Sequence, residues 1–255
     1  RSLVGSEMCI RDRAVSAVLV TVTLMYRTEG MKLCLSQIRM YKRMLQSILK
    51  IGLPAGFEAI MYSISNIIVQ VSINNFGVDT MAAWTAYSKI DFIFWMINSA
   101  FGISVMTFVG QNYGAGKWDR IRRGTKICLG MALISAVSVS IILMSAERFL
   151  FGIFVNDAGV VEIGIRMMNV IAPAYLLFAF IEVFSGALRA QGAVVVSTLI
   201  TMVGICVLRM IWVTLVAAHG TLEQVIICYP ITWAAGALAM SIYYIYKQRK
   251  IFQAR

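Results

Sequence analysis

The chain has 255 residues, of which 60% are hydrophobic and only 14% are charged, and its mean hydropathy is +0.79. A soluble globular domain is nearer half apolar and about a quarter charged, so this composition excludes an ordinary soluble protein and indicates a membrane protein. The net charge of +11 does not indicate nucleic-acid binding, because the basic residues lie in short segments beside apolar runs and no recognition motif accompanies them.

The first thirteen residues, RSLVGSEMCIRDR, do not match the sequence that follows them. They lack the long apolar core of a signal peptide and resemble the translated adapter read-through of metagenome-derived gene models. We therefore predict that residues 1–13 are an artefact. Residues 14–26 are apolar but too few to cross a bilayer. They are predicted to be the end of a transmembrane helix whose start is missing, which would make the chain a fragment.

Residues 27–48 form a basic segment. Their apolar side chains lie at roughly helical spacing among five basic residues and one acidic residue. This pattern is typical of an amphipathic linker on the cytoplasmic face of a membrane. A solvated connector would carry the same charges, so both interpretations stay open.

Six apolar runs follow, each long enough to span a bilayer. We place them near residues 49–76, 81–110, 124–146, 166–190, 193–218 and 225–246. Basic residues are in excess in the linker, in the loop after the second run and in the tail, which puts both ends on the cytoplasmic side. We therefore predict an all-α, polytopic membrane protein in which residues 49–246 form a six-helix transmembrane bundle and residues 247–255 a basic cytoplasmic tail.

Three charged residues fall deep inside the first two spans. Glu58, Lys89 and Asp91 each lie eight to ten residues from a span end, or roughly 12–15 Å at 1.5 Å per residue. An unpaired charge at that depth is costly. Lys89 and Asp91 are two positions apart and face different sides of a helix, so Lys89 is predicted to pair with Glu58. Asp91 would then need a water-filled cavity or a donor on another span.

Such a group has two interpretations: a buried ion pair that fixes helix register, or a polar site in a transport cavity. The first span also carries polar residues, including Asn66 and Gln70, which predicts that it lines a cavity. Pro54, between two glycines, predicts a flexible turn beside Glu58. Aromatic residues that would form apolar cavity walls for a flat cation are Phe94, Trp95, Phe101, Tyr175 and Phe178.

Other charged residues indicate structural roles. Glu182 and Arg189 are seven residues apart on the fourth span and are predicted to form a cluster at its cytoplasmic end. Arg209 lies toward the outer end of the fifth span, so its side chain is expected to extend to the outer membrane surface, with a gating role as the alternative. His219 is predicted to be solvated in an outer loop. In the string GQNYGAG, residues 110–116, the glycines predict a tight turn with close helix packing.

Enzyme and metal signatures are missing from the sequence. It has one histidine and five cysteines, with no CxxC, HExxH, GxSxG, P-loop or DDxxD string. We predict that the protein is not an enzyme, has no cofactor and has no zinc or disulfide framework.

Several strings, in order, resemble a known family. They are GLPAGFE, AYSKI followed by FVGQNYGAGK, SGALRAQG, LRMIWV and YPITW. Together they resemble the C-terminal half of a multidrug and toxic compound extrusion (MATE) transporter, most of all the bacterial DinF-like branch, over roughly residues 14–246.

The resemblance implies one six-helix lobe of a twelve-helix transporter with a central cavity. It implies export of cationic amphiphilic compounds in exchange for inward sodium ions or protons. Some sodium-coupled members use an acidic residue in the seventh of their twelve helices, which corresponds to the first span of this chain. Glu58 is the nearest match to that residue, although Glu58 lies about one helical turn earlier. The acidic residue that they carry in the tenth of their twelve helices would correspond to a position near Phe178 in the fourth span of this chain. Glu182 is the nearest acidic residue to that position. The coupling ion stays open between sodium and the proton.

We therefore expect multidrug efflux by alternating access across the bacterial cytoplasmic membrane. The expected partners are cationic drugs or toxins, membrane lipids and a missing N-terminal lobe of the same polypeptide, without nucleic acid. Candidate substrate- or ion-binding residues are Glu58, Lys89, Asp91, Asn66, Gln70, Tyr175 and Glu182, with sodium bound near Glu58 as one option and no other metal. Two alternatives stay open: a lipid-linked saccharide flippase of the same superfamily, which needs a more cationic cavity, and a non-transporting scaffold, which needs fully paired charges.

Overall fold

A computed structural model describes residues 2–26, 39–216 and 220–253. Within these ranges nearly every residue is helical and no strand occurs, so the all-α prediction is confirmed. His219 and most of the predicted linker, residues 27–38, lie outside the described residues. The chain divides into two compact units, Arg1–Leu49 and Lys50–Arg255.

The first unit contains helix α1 (Ser2–Tyr26) and the first residues of helix α2 (Lys42–Asn74). Residues 2–13 and 14–26, which the sequence suggested treating separately, form one continuous helix. Apolar side chains along α1 such as Val15, Val18 and Leu19 are about 60% exposed. These described side chains of α1 therefore do not belong to an apolar core.

The second unit carries the membrane-spanning helices. The described residues contain six helical segments that are long and apolar enough to cross a bilayer, so the six predicted spans are confirmed. They are Lys42–Asn74, Val78–Gly114, Trp118–Ser145, Ala158–Ala190, Val194–Val216 and Leu222–Ile251. A helix satisfies all its backbone hydrogen bonds internally, which is what a chain in hydrocarbon requires.

The first three spans are the continuous helices α2, α3 (Val78–Gly114) and α4 (Trp118–Ser145). The short helix α5 (Glu147–Phe154) precedes the fourth span, which is α6 (Ala158–Ile171) and α7 (Tyr175–Ala190) joined by a 3₁₀ turn. The fifth contains α8 (Val194–Thr201) and α9 (Leu208–Ile211), with a π-helical segment after each of them. The sixth is α10 (Leu222–Ile226) followed by α11 (Cys228–Gln253).

Short turns with glycine in the left-handed region join the first three spans. Gly77 (φ 98°) lies between α2 and α3, and Gly116 (φ 67°) between α3 and α4. A residue with a Cβ would be strained at either position. Helix α3 continues through Gly114, so the prediction that the whole string 110–116 forms the turn is wrong: only its last residues leave the helix.

Two prolines of the spanning helices, Pro54 and Pro173, occupy different kinds of position. Pro54 lies inside α2, which is helical from Lys42 to Asn74, so the predicted flexible turn beside Glu58 is wrong. A helix in a membrane protein tolerates such a proline when neighbouring groups satisfy the freed carbonyl. Pro173, in contrast, lies in the 3₁₀ turn Ala172–Ala174 that separates α6 from α7.

Helix α7 lies at the centre of the bundle and packs against α3, α4 and α11. Its contact with α3 is close at two glycines: a Cβ added to Gly186 would lie 2.8 Å from the carbonyl oxygen of Gly102. Helix α2 makes few close backbone contacts with its neighbours. Large side chains from α2, α3 and α11 therefore face one another across a gap, and this gap is the cavity described next.

Candidate functional site

A cavity of about 290 Å³ lies between α2, α3, the end of α6 and α11. Seven of its twelve lining residues are aromatic, one is a carboxylate, and none of the described lining residues is basic. The lining residues are Tyr62, Asn66, Gln70, Trp84, Tyr87, Ser88, Asp91, Phe92, Trp95, Ile171, Tyr229 and Trp233. Aromatic faces and a carboxylate both attract cations, so this lining suits a flat organic cation.

Asp91 is the acid of this cavity and is held by donors from two helices. The Tyr175 hydroxyl donates to Asp91 Oδ1 from α7, and the Trp95 indole donates to Asp91 Oδ2 at 2.5 Å from one turn further along α3. The Tyr87 hydroxyl lies 3.1 Å from that of Tyr175. Of the two options that the sequence left open for Asp91, a cavity or a donor on another span, the structure shows both: Asp91 lines the cavity, and Tyr175 donates to it from α7.

The ring of Tyr175 is itself fixed by packing. It is fully buried and stacks on Phe94, with ring centroids 3.9 Å apart. Its position at the start of α7, directly after the turn at Pro173, aims its hydroxyl back at α3. The aromatic core thus orients the group that holds the carboxylate.

Glu58 pairs with a different residue from the one predicted. Arg189 Nη2 lies 2.7 Å from both carboxylate oxygens of Glu58, and the Thr198 hydroxyl donates to Oε2 at 3.0 Å. The predicted Glu58–Lys89 pair is wrong, because α7 and α8 bring Arg189 and Thr198 against Glu58 while Lys89 is exposed on α3. These contacts tie α2 to the junction of α7 and α8.

Lys89 and Glu182 are not among the described residues that line this cavity, but Lys89 lies close to it, because one depression that Lys89 borders shares four lining residues with the cavity: Gln70, Trp84, Ser88 and Phe92. Lys89 borders two other depressions, of about 540 and 400 Å³, on the surface of the bundle. Glu182 packs against Gly102, whose missing Cβ leaves room for the carboxylate. Neither side chain makes a hydrogen bond or ion pair with the part of the chain that the structure describes.

Arg209 is the charged residue whose position differs most from the prediction. It is fully buried, so the expected extension to the membrane surface is wrong. Its guanidinium lies 4.2 Å from the ring centre of Tyr229 and 5.7 Å from that of Tyr62, and Nη1 donates to Asn66 Oδ1 at 3.0 Å. Nε and Nη2 have no partner among the described residues. Arg209 therefore lies behind three residues that line the cavity.

Sequence reasoning found only part of this lining. Of the five aromatic residues predicted as cavity walls, Trp95 lines the cavity, whereas Phe94, Tyr175 and Phe178 are buried and Phe101 is partly buried outside the lining. Sequence reasoning missed the other six aromatic lining residues: Tyr62, Trp84, Tyr87, Phe92, Tyr229 and Trp233. A usable signal was present in the first span, where Glu58, Tyr62, Asn66 and Gln70 recur every four residues and so share one helix face.

The sequence and the fold were compared with those of known proteins. A sequence model of the family described as MatE matches residues 54–215, more than half of the chain. The chain belongs to the MATE family. This match confirms that the sequence strings resemble those of MATE transporters. In general, MATE proteins are multidrug efflux transporters that couple to sodium ions or protons. The chain is accordingly a multi-pass membrane protein.

Individual MATE relatives are distant in sequence. The chain is 25% identical over 219 residues to the probable multidrug resistance protein YoeA of Bacillus subtilis, covering 84% of the chain and 47% of the relative. It is 22% identical over 158 residues to human multidrug and toxin extrusion protein 1, covering 60% and 28%. The chain thus spans about half the length of the first of these relatives.

A solved MATE structure shares the fold. The structure described as the outward-facing conformation of a multidrug resistance MATE family transporter of the MOP superfamily superposes with a TM-score of 0.84 at 16% identity. The superposition covers 94% of this chain and 55% of that one. The six-helix bundle is therefore a MATE fold.

Proposed function

We propose that this protein carries out secondary active efflux of cationic amphiphilic compounds, exchanging them for sodium ions or protons by alternating access. In this proposal residues 50–253 supply one lobe of the transporter, and a second lobe of the same polypeptide completes the pathway. The lobe lies in the bacterial cytoplasmic membrane with the end of α11 on the cytoplasmic side, where the basic residues Lys247, Arg249 and Lys250 lie at the end of the sixth span.

The observation that carries the proposal is the cavity lining. A single carboxylate, Asp91, lies among seven aromatic side chains, and no basic residue faces the cavity among those described. Aromatic rings bind the apolar body of a drug and also attract its positive charge. Asn66 and Gln70 add amide groups that can orient a bound compound.

Antiport requires a group that interacts with the coupling ion and with the drug in turn. Asp91 is the best candidate in this lobe, because its carboxylate lines the cavity and has only neutral hydrogen-bond donors, Tyr175 and Trp95. Binding of a proton or sodium ion at this carboxylate would weaken its attraction for a cationic drug. Tyr175 then acts as a positioning residue that holds the carboxylate toward the cavity.

Glu58 has less support as the ion site. Both its oxygens already face Arg189, and Thr198 donates to one of them. An ion at Glu58 would have to compete with a guanidinium at 2.7 Å. We therefore assign Glu58 a structural role.

The two alternatives have weaker support. A flippase for a lipid-linked saccharide needs basic groups facing its pyrophosphate, whereas the lining offers a carboxylate. A non-transporting scaffold would need the charged residues inside its spans to be fully paired. Lys89 and Glu182 form no ion pair within the described ranges. Transport of cations accounts better for both features.

The test is ethidium efflux by the protein encoded by the complete source gene, in a host without its own pumps. We expect Asp91→Asn to reduce efflux driven by an imposed sodium or proton gradient at least tenfold at equal protein level, because the coupling charge is lost. Asp79→Asn, the same change at an exposed residue in the first turn of α3, should leave efflux unchanged. Full efflux by the Asp91→Asn protein would overturn the site assignment.

A further inference from the structure

A groove that shares no lining residue with the cavity lies at one end of the bundle. It has a volume of about 420 Å³ between the start of α4 and the end of α11. Its lining combines three basic side chains, aromatic rings and amides, without an acidic residue among those described: Trp118, Arg122, Lys126, Tyr244, Ile245, Gln248, Arg249, Ile251 and Gln253.

The basic side chains converge on this groove because of helical spacing. Trp118, Arg122 and Lys126 follow one another every four residues and share one face of α4. Arg249 approaches from α11. Lys126 and Arg249 form no ion pair with any described residue. Lys126 and Arg249 therefore bring positive charge to the groove that no acidic residue among those described neutralises.

The groove lies where a membrane surface would be. Arg122 and Lys126 belong to the first turns of the span Trp118–Ser145, and Tyr244 and Gln248 to the last turns of the span Leu222–Ile251. Both helix ends meet the same bilayer surface, at the depth of lipid headgroups. Tryptophan and tyrosine are favoured at that depth, because one end of each ring is apolar and the other polar.

An apolar path leads from the groove into the membrane. Ile245 lines the groove, and Ile242 and Leu238, three and seven residues earlier on α11, are 59% and 64% exposed. This stripe runs along the helix toward the bilayer centre. A free anion would use only the basic end of the site, whereas a phospholipid would use both parts.

We propose that this groove binds an anionic glycerophospholipid, with its phosphate between Arg122, Lys126 and Arg249 and its acyl chains along the stripe on α11. Guanidinium groups pair with phosphate oxygens through two parallel hydrogen bonds, and basic pockets between spanning helices favour anionic headgroups. A zwitterionic lipid such as phosphatidylcholine gains less, because its quaternary ammonium group would lie beside the basic side chains and none of the described lining residues is acidic. The site is separate from the proposed transport cavity and does not depend on the transported compound.

The first experiment measures thermal unfolding of the purified full chain in detergent, with added phosphatidylglycerol or phosphatidylcholine. We expect phosphatidylglycerol to raise the Tm by several degrees and phosphatidylcholine to raise it much less. The triple variant Arg122→Gln, Lys126→Gln, Arg249→Gln should lose this difference. The matched control Arg120→Gln, Arg123→Gln, Lys250→Gln removes the same charge at exposed residues outside the groove lining and should keep it.

Two results would overturn the proposal. If the control variant lost the Tm difference between the two lipids as completely as the triple variant, the lipid would be attracted unspecifically to surface charge. If glycerol 3-phosphate alone raised the Tm as much as phosphatidylglycerol, the groove would be a site for free anions.

A second measurement needs no variant. A photoactivatable phosphatidylglycerol carrying its reactive group near the headgroup should crosslink to residues 118–126 and 244–253 of the unmodified chain. Crosslinks confined to other helices would also overturn the proposal.

Discussion

At the scale of single residues, the surroundings of each intramembrane charge decide its role. Glu58 and Asp91 are both carboxylates inside spans, yet one faces a guanidinium and the other a cavity. An ion pair removed from water is stabilising only while both partners are present, because either charge alone is costly. Asp91 has neutral donors and stays open to an added cation.

We predict that Arg189→Gln lowers the free energy of unfolding by about 2–4 kcal/mol, because it leaves Glu58 charged and partly buried without its cation. The double variant Glu58→Gln, Arg189→Gln should recover part of this loss, which thermal unfolding in detergent would measure.

The matched control is the Arg148–Glu162 pair, which is 3.6 Å apart with side chains 80% and 55% exposed. Arg148→Gln should change the free energy of unfolding by less than about 1 kcal/mol. A loss for Arg189→Gln as small as this would mean that the Glu58 pair contributes little to stability.

At the scale of helices, close packing depends on small residues. Two helices in lipid gain no hydrophobic energy from association, so backbone approach at glycine becomes the main source of van der Waals contact. The crossing of α3 and α7 at Gly102 and Gly186 is such a place. It also aligns Tyr175 with Asp91, since each of these residues lies earlier on its helix, at the same distance in sequence from its glycine.

We predict that Gly186→Ala destabilises the bundle by about 1–3 kcal/mol, because the new Cβ would lie 2.8 Å from a backbone oxygen that cannot rotate away. Gly130→Ala in α4 is the control: its Cβ would meet nothing within 4 Å, and alanine favours helix by about 1 kcal/mol. Equal melting temperatures for the two variants would contradict the proposed close contact.

At the scale of the whole molecule, the alternation of six spans sets which loops share a side. The turn before α3 and the loop between α5 and α6 lie on one side, and the turn before α4 and the end of α11 lie on the other. Basic residues gather near the second pair, which favours a cytoplasmic location for it.

We predict the following labelling by a membrane-impermeant maleimide in a background without native cysteines. Asp79→Cys and Asn156→Cys should react in intact cells, whereas Lys117→Cys and Gln253→Cys should react only after permeabilisation. All four positions are exposed. The reverse pattern would place the end of α11 outside the cell and overturn the proposed orientation.

The sequence by itself determined the membrane environment, the six spans and the family to which the chain belongs. These properties depend on hydropathy and spacing along a continuous segment, so nearby residues are enough to predict them. Only the tertiary structure decided that Arg189 is the partner of Glu58, that Arg209 is buried behind the cavity and which aromatic rings face it. The reason is that Glu58 and Arg189 are 131 positions apart in the chain, and such a contact depends on how far each helix rotates and slides when the bundle packs.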